Sequence, residues 1–179
     1  MLVRLVRLFQ SYCTSFYGCT LWNLNDLSKN AICVEWNKAV RRVWRLPYTA
    51  HTSLLGPLNS QCHVIEQFVN RFMKFYSRMY FSKNDCVSFM SKVALQNTNS
   101  IIRRNVYFIK WKYGVDMFKC DFNANVCMNN IRKLVKPNAE AQAQIDMLKE
   151  VILVRDGFLK IDNIDKNDCI ELIIQLTCN

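Results

Sequence analysis

Glycine, proline and histidine are scarce in this chain of 179 residues, which contains 4 Gly, 3 Pro and 2 His. Hydrophobic residues make up 51% of the sequence. This composition excludes a disordered or low-complexity chain and favours a folded protein built mainly from helices. Apolar periodicity and capping residues predict an all-α fold, an irregular bundle of about six or seven helices.

Metal-ligand pairs and apolar runs of membrane-spanning length are also lacking. Nine cysteines are present, but none forms a Cys-x-x-Cys pair, and structural zinc sites need ligands at such short spacing. The histidines His51 and His63 have one neighbouring thiol, Cys62. No apolar run approaches the length that spans a bilayer. We expect reduced thiols in an intracellular protein, nuclear or in a cytoplasmic ribonucleoprotein particle, with no metal, other cofactor or membrane partner.

Catalytic motifs are missing as well. The chain has no glycine-rich phosphate loop, no nucleophile elbow and no histidine–glutamate metal motif. Two-metal nucleotidyl transfer needs clustered carboxylates, whereas the acids of residues 1–135 are well separated along the chain: Asp26, Glu35, Glu66, Asp85, Asp116 and Asp121. We therefore predict a chain that is not an enzyme.

Positive charge dominates most of the sequence. The net charge is +10, and residues 1–135 carry 19 Lys and Arg against 6 Asp and Glu, whereas residues 136–179 carry 5 against 8. A basic body with few acids predicts a nucleic-acid partner. We predict three regions: a basic helical domain over 1–115, a loop-rich connector over 116–137 and an acidic helical hairpin over 138–179.

The most informative stretch, residues 36–51, carries four cations with the spacing i, i+3, i+4 and i+7: Lys38, Arg41, Arg42 and Arg45. This spacing places them on one side of a helix, opposite an apolar face that includes Trp36 and Trp44. Pro47 ends the helix. The stripe is typical either of a surface that contacts phosphates or of an ordinary solvated face.

A second basic stripe, formed by Arg71, Lys74 and Arg78, lies on a helix predicted over about 62–81. Its aromatic residues, such as Phe68 and Phe72, are expected in the core. Further helices are predicted over 2–17, 26–46, 85–96, 101–114, 138–156 and 167–176, with loops over 47–60 and 115–137. In the helix over 85–96, the residues expected to face inward are Val87, Met90, Val93 and Ala94. The acids Asp162, Asp165, Asp168 and Glu171 are expected at the start of the last helix, where they favour its positive dipole end.

Residues 101–114 interleave cations with aromatic rings, as surfaces that bind single-stranded nucleic acid do. Ile102, Val106, Ile109 and Tyr113 nevertheless keep helical spacing, which favours a core helix whose long basic side chains cover apolar surface. A strand over 106–113 is the remaining alternative.

Two blocks of residues resemble a known family. In the first, a helix over 11–18 that ends in Tyr17-Gly18 is followed by Leu21-Trp22, and in the second a basic helix over 36–48 is followed by Thr49, His51, Leu54 and Leu55. These blocks are similar to the region after the palm in the reverse transcriptases of LINE-type non-LTR retrotransposons. The similarity covers about residues 4–115, and its weaker landmarks are Arg71, Lys74, Phe75, Arg104-Asn105 and Lys112-Tyr113-Gly114.

The resemblance implies a thumb-like region that packs beside the missing polymerase palm and holds the template–primer duplex by its backbone. The paired aspartates of the palm and the upstream endonuclease are not in this sequence, so RNA-directed DNA synthesis is not implied, and we expect a truncated remnant. We predict a fragment that binds RNA or an RNA–DNA hybrid through Lys38, Arg41, Arg42, Arg45, Arg71, Lys74 and Arg78. The alternative is a helical protein-interaction module that packs on the palm or self-associates.

Overall fold

The computed structural model describes residues 7–13, 15–27, 31–58, 64–118, 122–135, 139–157 and 165–178. No strand occurs among these residues, and the all-α prediction is confirmed. The described ranges contain nine α-helices, more than the six or seven expected: α1 Leu24–Leu27, α2 Ala31–Trp44, α3 Thr52–Leu58, α4 Val64–Tyr80, α5 Asp85–Gln96, α6 Ile101–Tyr113, α7 Ala124–Val135, α8 Ala139–Arg155 and α9 Lys166–Cys178. A π-helical turn, Phe9–Cys13, and a 3₁₀ turn, Cys19–Leu21, precede α1.

Several of the longer helices lie close to their predicted positions, and residues expected at helix ends flank α6 and α9, although the Ser100 side chain makes no capping hydrogen bond. α6 follows Ser100 and ends at Gly114, whose left-handed backbone has φ 65°, so the strand alternative for this segment is wrong. Asp165 caps α9 by accepting hydrogen bonds from the backbone N–H groups of Asn167 and Asp168, as the acid-rich start of that helix predicted. Asp162 lies outside the described residues.

The N-terminal helix predicted over 2–17 falls partly outside the described residues, which omit 1–6 and 14. Arg7 and Leu8 are helical and lead into the π-helical turn. Ser15 and Phe16 are not helical, so the helix ends earlier than predicted. Gly18, the expected helix stop, has φ 74° and precedes the 3₁₀ turn.

The helix α3 occupies a stretch that was predicted as a loop because it contains Gly56 and Pro57. These two residues together cost roughly 4 kcal/mol in a helix interior. Leu54, Leu55 and Leu58 are buried in the fold, and a fully buried leucine contributes about 1.5–3 kcal/mol. Tertiary packing therefore outweighs the local signal, and the loop prediction was wrong.

The helix α7 occupies a second stretch that was predicted as a loop, within the supposed connector. Ala124, Met128 and Ile131 are buried at i, i+4 and i+7, a helical period that the intervening asparagines obscure. Asn123 was predicted as a loop residue, but its side chain accepts hydrogen bonds from two backbone N–H groups of the first turn. It is the N-cap of this helix.

The chain divides into two compact units, each built from separate stretches. The basic unit consists of Phe16–Cys33 and Val64–Lys136 and carries 14 Lys and Arg against 5 Asp and Glu. The near-neutral unit consists of Met1–Ser15, Val34–His63 and Pro137–Asn179 and carries 10 against 9. This grouping differs from the three predicted regions, since the acidic C-terminal stretch and the basic stripe of α2 belong to one unit.

The core of the basic unit is built on α4. Its apolar face is buried, and Phe68 meets the rings of Phe16 and Trp22 edge to face at centroid distances of 4.8 and 5.3 Å. Phe72 is also fully buried. The prediction that the aromatic residues of this helix form core is confirmed for these two positions.

The near-neutral unit contains α8 and α9, which pack against each other. Ile145, Leu148 and Ile152 are buried on the predicted inner face of α8. At the end of α9, the carbonyl oxygen of Thr177 accepts a hydrogen bond from the backbone N–H of His51 at 2.9 Å. The acidic C-terminal stretch is therefore an integral part of this unit.

The helix α5 has its predicted bounds, but its apolar side chains face outward. Its exposed hydrophobic residues are Val87, Phe89, Met90 and Val93. Ser91 is buried instead, and the hydroxyl of its half-buried neighbour Ser88 donates to the Tyr80 carbonyl at 3.1 Å. The prediction that Val87, Met90 and Val93 face inward was wrong, because periodicity identifies an apolar stripe without saying which side is covered.

Candidate nucleic-acid interface

Three cations of the predicted stripe lie on α2, whereas Arg45 follows the end of the helix. The four also differ in availability. Arg41 is half-buried and donates from Nε and Nη2 to the Ala50 carbonyl at 3.1 and 2.6 Å. It therefore ties the residues after α2 back to the helix. The side chain of Arg42 is exposed and makes no hydrogen bond or ion pair with any described residue. Lys38 is exposed but bonds Glu35 at 2.7 Å.

The acid beside Lys38 is itself affected by the stripe. The hydrogen bond and the positive charge of Lys38, with a smaller effect of Arg42, hold the pKa of Glu35 below its ordinary value. This exposed pair is weak, since water and salt screen ion pairs at the surface. A phosphate can displace it at little cost.

The end of α2 is held by the C-terminal part of the same unit. Arg155 donates from Nη2 and Nη1 to the carbonyls of Trp44 and Arg45 at 3.1 and 2.8 Å. Arg45 has a left-handed backbone with φ 50° and lies 3.7 Å from the carboxylate of Asp156. The carboxylate thus competes with phosphate for Arg45. Of the four predicted ligands, Arg42 is the exposed side chain that makes no ion pair with a described residue, while the ion-paired side chains of Arg45 and Lys38 are 68% and 52% exposed.

The α4 stripe lies in the basic unit. Lys74 and Arg78 are exposed and make no ion pair within the described part of the chain. Arg71 is half-buried, donates to the Phe16 carbonyl at 3.5 Å and lies 5.6 Å above the Phe16 ring. Burial raises the pKa of the Cys19 thiol, and the nearby Arg71 opposes this shift. Arg71 therefore belongs to the fold, whereas Lys74 and Arg78 face solvent.

The weaker landmarks of the family resemblance meet the first block inside the basic unit. Arg71 bonds Phe16, and the buried side chain of Asn105 bridges a backbone group of the first block and one just after it. Its Oδ1 accepts from the Leu24 N–H at 2.9 Å, and its Nδ2 donates to the Trp22 carbonyl at 2.8 Å. These residues thus hold one structural cluster together.

The exposed cations of the basic unit extend beyond the two that the sequence singled out. They lie on four helices and one connecting segment: Lys74, Arg78, Lys83, Lys92, Arg104, Lys110, Lys112, Arg132 and Lys133. Exposed acids are fewer, with Asp26 and Asp85 among the described residues. A surface with this imbalance attracts polyanions through counterion release. The cations of α6 lie in the segment in which the sequence already showed cations interleaved with rings, whereas Lys83, Lys92, Arg132 and Lys133 were missed because they follow no single helical stripe.

The helix α6 combines the two alternatives that its sequence left open. Asn105, Val106 and Ile109 are buried, as expected of a core helix. On another side the rings of Tyr107 and Trp111 are 49% and 83% exposed. We call the exposed residues Arg104, Tyr107, Lys110 and Trp111 the aromatic–basic face of α6. The interleaving of cations and rings in the sequence was the signal for this surface.

Neither a metal centre nor a membrane segment is found in the described part of the chain. No group of three or more His, Cys, Asp or Glu side chains there is arranged to hold a metal ion. No described helix is both long and apolar enough to cross a membrane.

Comparison of the chain with protein-family models, with curated proteins and with solved structures found no match. Inferences about function therefore depend on the charge and exposure of its surfaces, together with the resemblance in the sequence.

Proposed function

We propose that this chain is a non-catalytic nucleic-acid-binding module whose basic unit holds the phosphate backbone of a duplex. The observation that carries the proposal is the pair of exposed cations on α4, Lys74 and Arg78. They lie in a unit with 14 cations against 5 acids. Contacts of this type are largely independent of sequence and weaken as salt rises.

We also propose that the module derives from the region after the palm of a LINE-type reverse transcriptase, with an RNA–DNA hybrid as its duplex. Support comes from the two sequence blocks that resemble this region. Further support comes from the contacts of Arg71 and Asn105 with residues 16–24, since two landmarks and the first block form one cluster. The polymerase palm is then a packing partner, and catalysis lies in that missing domain.

The test is the salt dependence of binding to a labelled RNA–DNA hybrid, measured by fluorescence anisotropy. The variant Lys74→Ala/Arg78→Ala removes two proposed phosphate contacts, each contributing about 0.9 to the slope of log K against log salt. We expect the slope to become shallower by about 1.8. The matched control is Lys38→Ala/Arg42→Ala, which removes two exposed cations from the near-neutral unit. It should change the slope less.

Two results would contradict this proposal. An unchanged affinity and slope in the α4 variant would show that these cations do not contact phosphate. A larger effect of the α2 control would place the binding surface on the stripe that the sequence first indicated. Circular dichroism of each variant verifies that the helices are retained.

A second candidate function is a protein-interaction module. The observation that favours it is the outward-facing apolar side of α5, where Phe89 and Met90 are 64% and 61% exposed. Exposed apolar clusters of this type mark protein contacts in soluble proteins. The partner is either the polymerase palm or a second copy of the chain.

A further inference from the structure

The indole of Trp111 is the starting point, because it is 83% exposed on a well-anchored helix. Tryptophan is highly buried on average in folded proteins. Within the described residues this ring makes no aromatic or cation–π contact. An uncovered indole in an ordered helix provides a flat apolar surface for another ring.

Tyr107 lies one helical turn before Trp111 and is held in place by its neighbours. The guanidinium of Arg103 lies 5.3 Å from its ring centroid, and the ring of Phe118 meets it edge to face at 6.0 Å. Arg103 itself is held by the carbonyls of Leu95 and Gln96, at 3.3 and 2.9 Å. Residues four apart are surface neighbours on a helix, so Tyr107 and Trp111 form a pair of stacking surfaces.

Cations flank these two rings. Arg104 is exposed, and Lys110 is exposed while bonding Asp116 at 3.1 Å. No acid occurs within α6 itself. Among the described residues, Asp116 is the one acid paired to this face. The face therefore carries a net positive charge, and its two rings alternate with its two cations. This alternation differs from the α5 surface, where the exposed residues are mostly apolar.

We propose that the aromatic–basic face of α6 binds single-stranded nucleic acid. Bases stack on Trp111 and Tyr107, while Arg104 and Lys110 contact the phosphates on either side. Rings and cations in alternation match the alternating bases and phosphates of a single strand, whereas a paired duplex keeps its base faces stacked inside. The inference rests on the proposed function in that the basic unit binds nucleic acid, but its ligand and contacts are different.

The experiment compares a fluorescein-labelled oligothymidylate with an abasic strand of the same length, both bound to the full chain. Because bases stack on the two rings, we expect the oligothymidylate to bind at least about tenfold more tightly than the abasic strand. Trp111→Ala should remove about tenfold of its affinity, whereas Trp111→Phe should retain most of it. The control is Tyr48→Ala, since this tyrosine is 88% exposed but lies in the near-neutral unit.

Several outcomes would overturn the inference. Equal affinity for the abasic strand would show that bases are not read, and an unaffected Trp111→Ala variant would show that the indole does not contact them. An equal loss of hybrid-duplex affinity in that variant would assign the face to duplex binding. A change in sedimentation without a change in single-strand binding would assign it to a protein contact. Failure of the α4 charge test leaves this comparison intact, because both strands carry the same phosphates.

Discussion

Four of the described arginine side chains hold backbone carbonyls of other segments, whereas six are exposed. Arg41, Arg71, Arg103 and Arg155 each donate to a carbonyl oxygen of another segment. Two of them, Arg41 and Arg71, are among the seven cations that the sequence predicts to bind phosphate. Substitution of either changes folding and binding together, so Lys74, Arg78 and Arg42 are better positions for a binding test.

The buried hydroxyl of Tyr76 lowers the stability of the fold. The side chain is fully buried, and its hydroxyl has no hydrogen-bond partner among the described residues. Tyr76→Phe removes this desolvated group while keeping the ring beside Phe72, whose centroid lies 6.2 Å away. We expect the free energy of unfolding at neutral pH to rise by about 1 kcal/mol. Urea unfolding measures the change.

The same substitution should also change the pH dependence of stability. Burial, with a smaller effect of Tyr80, raises the pKa of Tyr76 well above its ordinary value near 10. The folded state therefore favours the neutral phenol. Below about pH 10 the phenol is neutral in both the folded and the unfolded state, and ionisation does not reduce stability. As pH rises further, the unfolded state ionises first, and the free energy of unfolding falls. Wild type should lose stability faster than Tyr76→Phe above about pH 10. Parallel profiles for the two proteins would contradict this assignment.

At the scale of helices, the sequence predicts well where a helix has a clear apolar period. α4, α6 and α8 bury apolar residues at helical spacing and lie within a few residues of their predicted bounds. α3 and α7 were missed because the energy that stabilises them comes from leucines and other apolar residues buried by distant segments. Propensity alone contains no information about such long-range contacts.

The orientation of α5 could not be predicted for a related reason. Its small polar residues pack inward and its large apolar residues face solvent. The helix is amphipathic as predicted, but its buried side is the polar one and not the apolar one. A period identifies two faces of a helix, and only the neighbouring helices decide which of them is buried.

If the second candidate function is correct and a second copy of the chain covers α5, self-association should depend on its apolar face. We expect wild type to sediment with a mass that rises with concentration, and Phe89→Ser/Met90→Ser to remain monomeric, because the substitutions remove two highly exposed apolar side chains. The matched control is Ile170→Ser/Ile174→Ser on α9, whose residues are 45% and 47% exposed. A wild type that stays monomeric at every concentration would contradict self-association.

At the scale of the whole molecule, charge follows the two units and not the order of the chain. The basic stripe of α2 and the acidic stretch after residue 136 look like opposite ends of a sequence, yet Arg45 and Asp156 lie 3.7 Å apart in one unit. The excess of cations accumulates in the other unit. The sequence thus predicts a nucleic-acid partner from its composition, but locating the excess charge requires the pairing of distant segments.

This distribution of charge predicts where a bound duplex will protect the protein. A ligand that binds only the folded state stabilises it by about 2.7 kcal/mol at one hundred times its Kd. Where a helix opens locally without releasing the ligand, binding does not slow the hydrogen exchange of its amides. In hydrogen exchange measured by mass spectrometry, an RNA–DNA hybrid should therefore slow exchange in α4, within the basic unit, and leave α8 and α9 unchanged. Added oligothymidylate should protect α6 instead. Protection confined to residues 34–45 would contradict both assignments, since it would place the nucleic acid on the near-neutral unit.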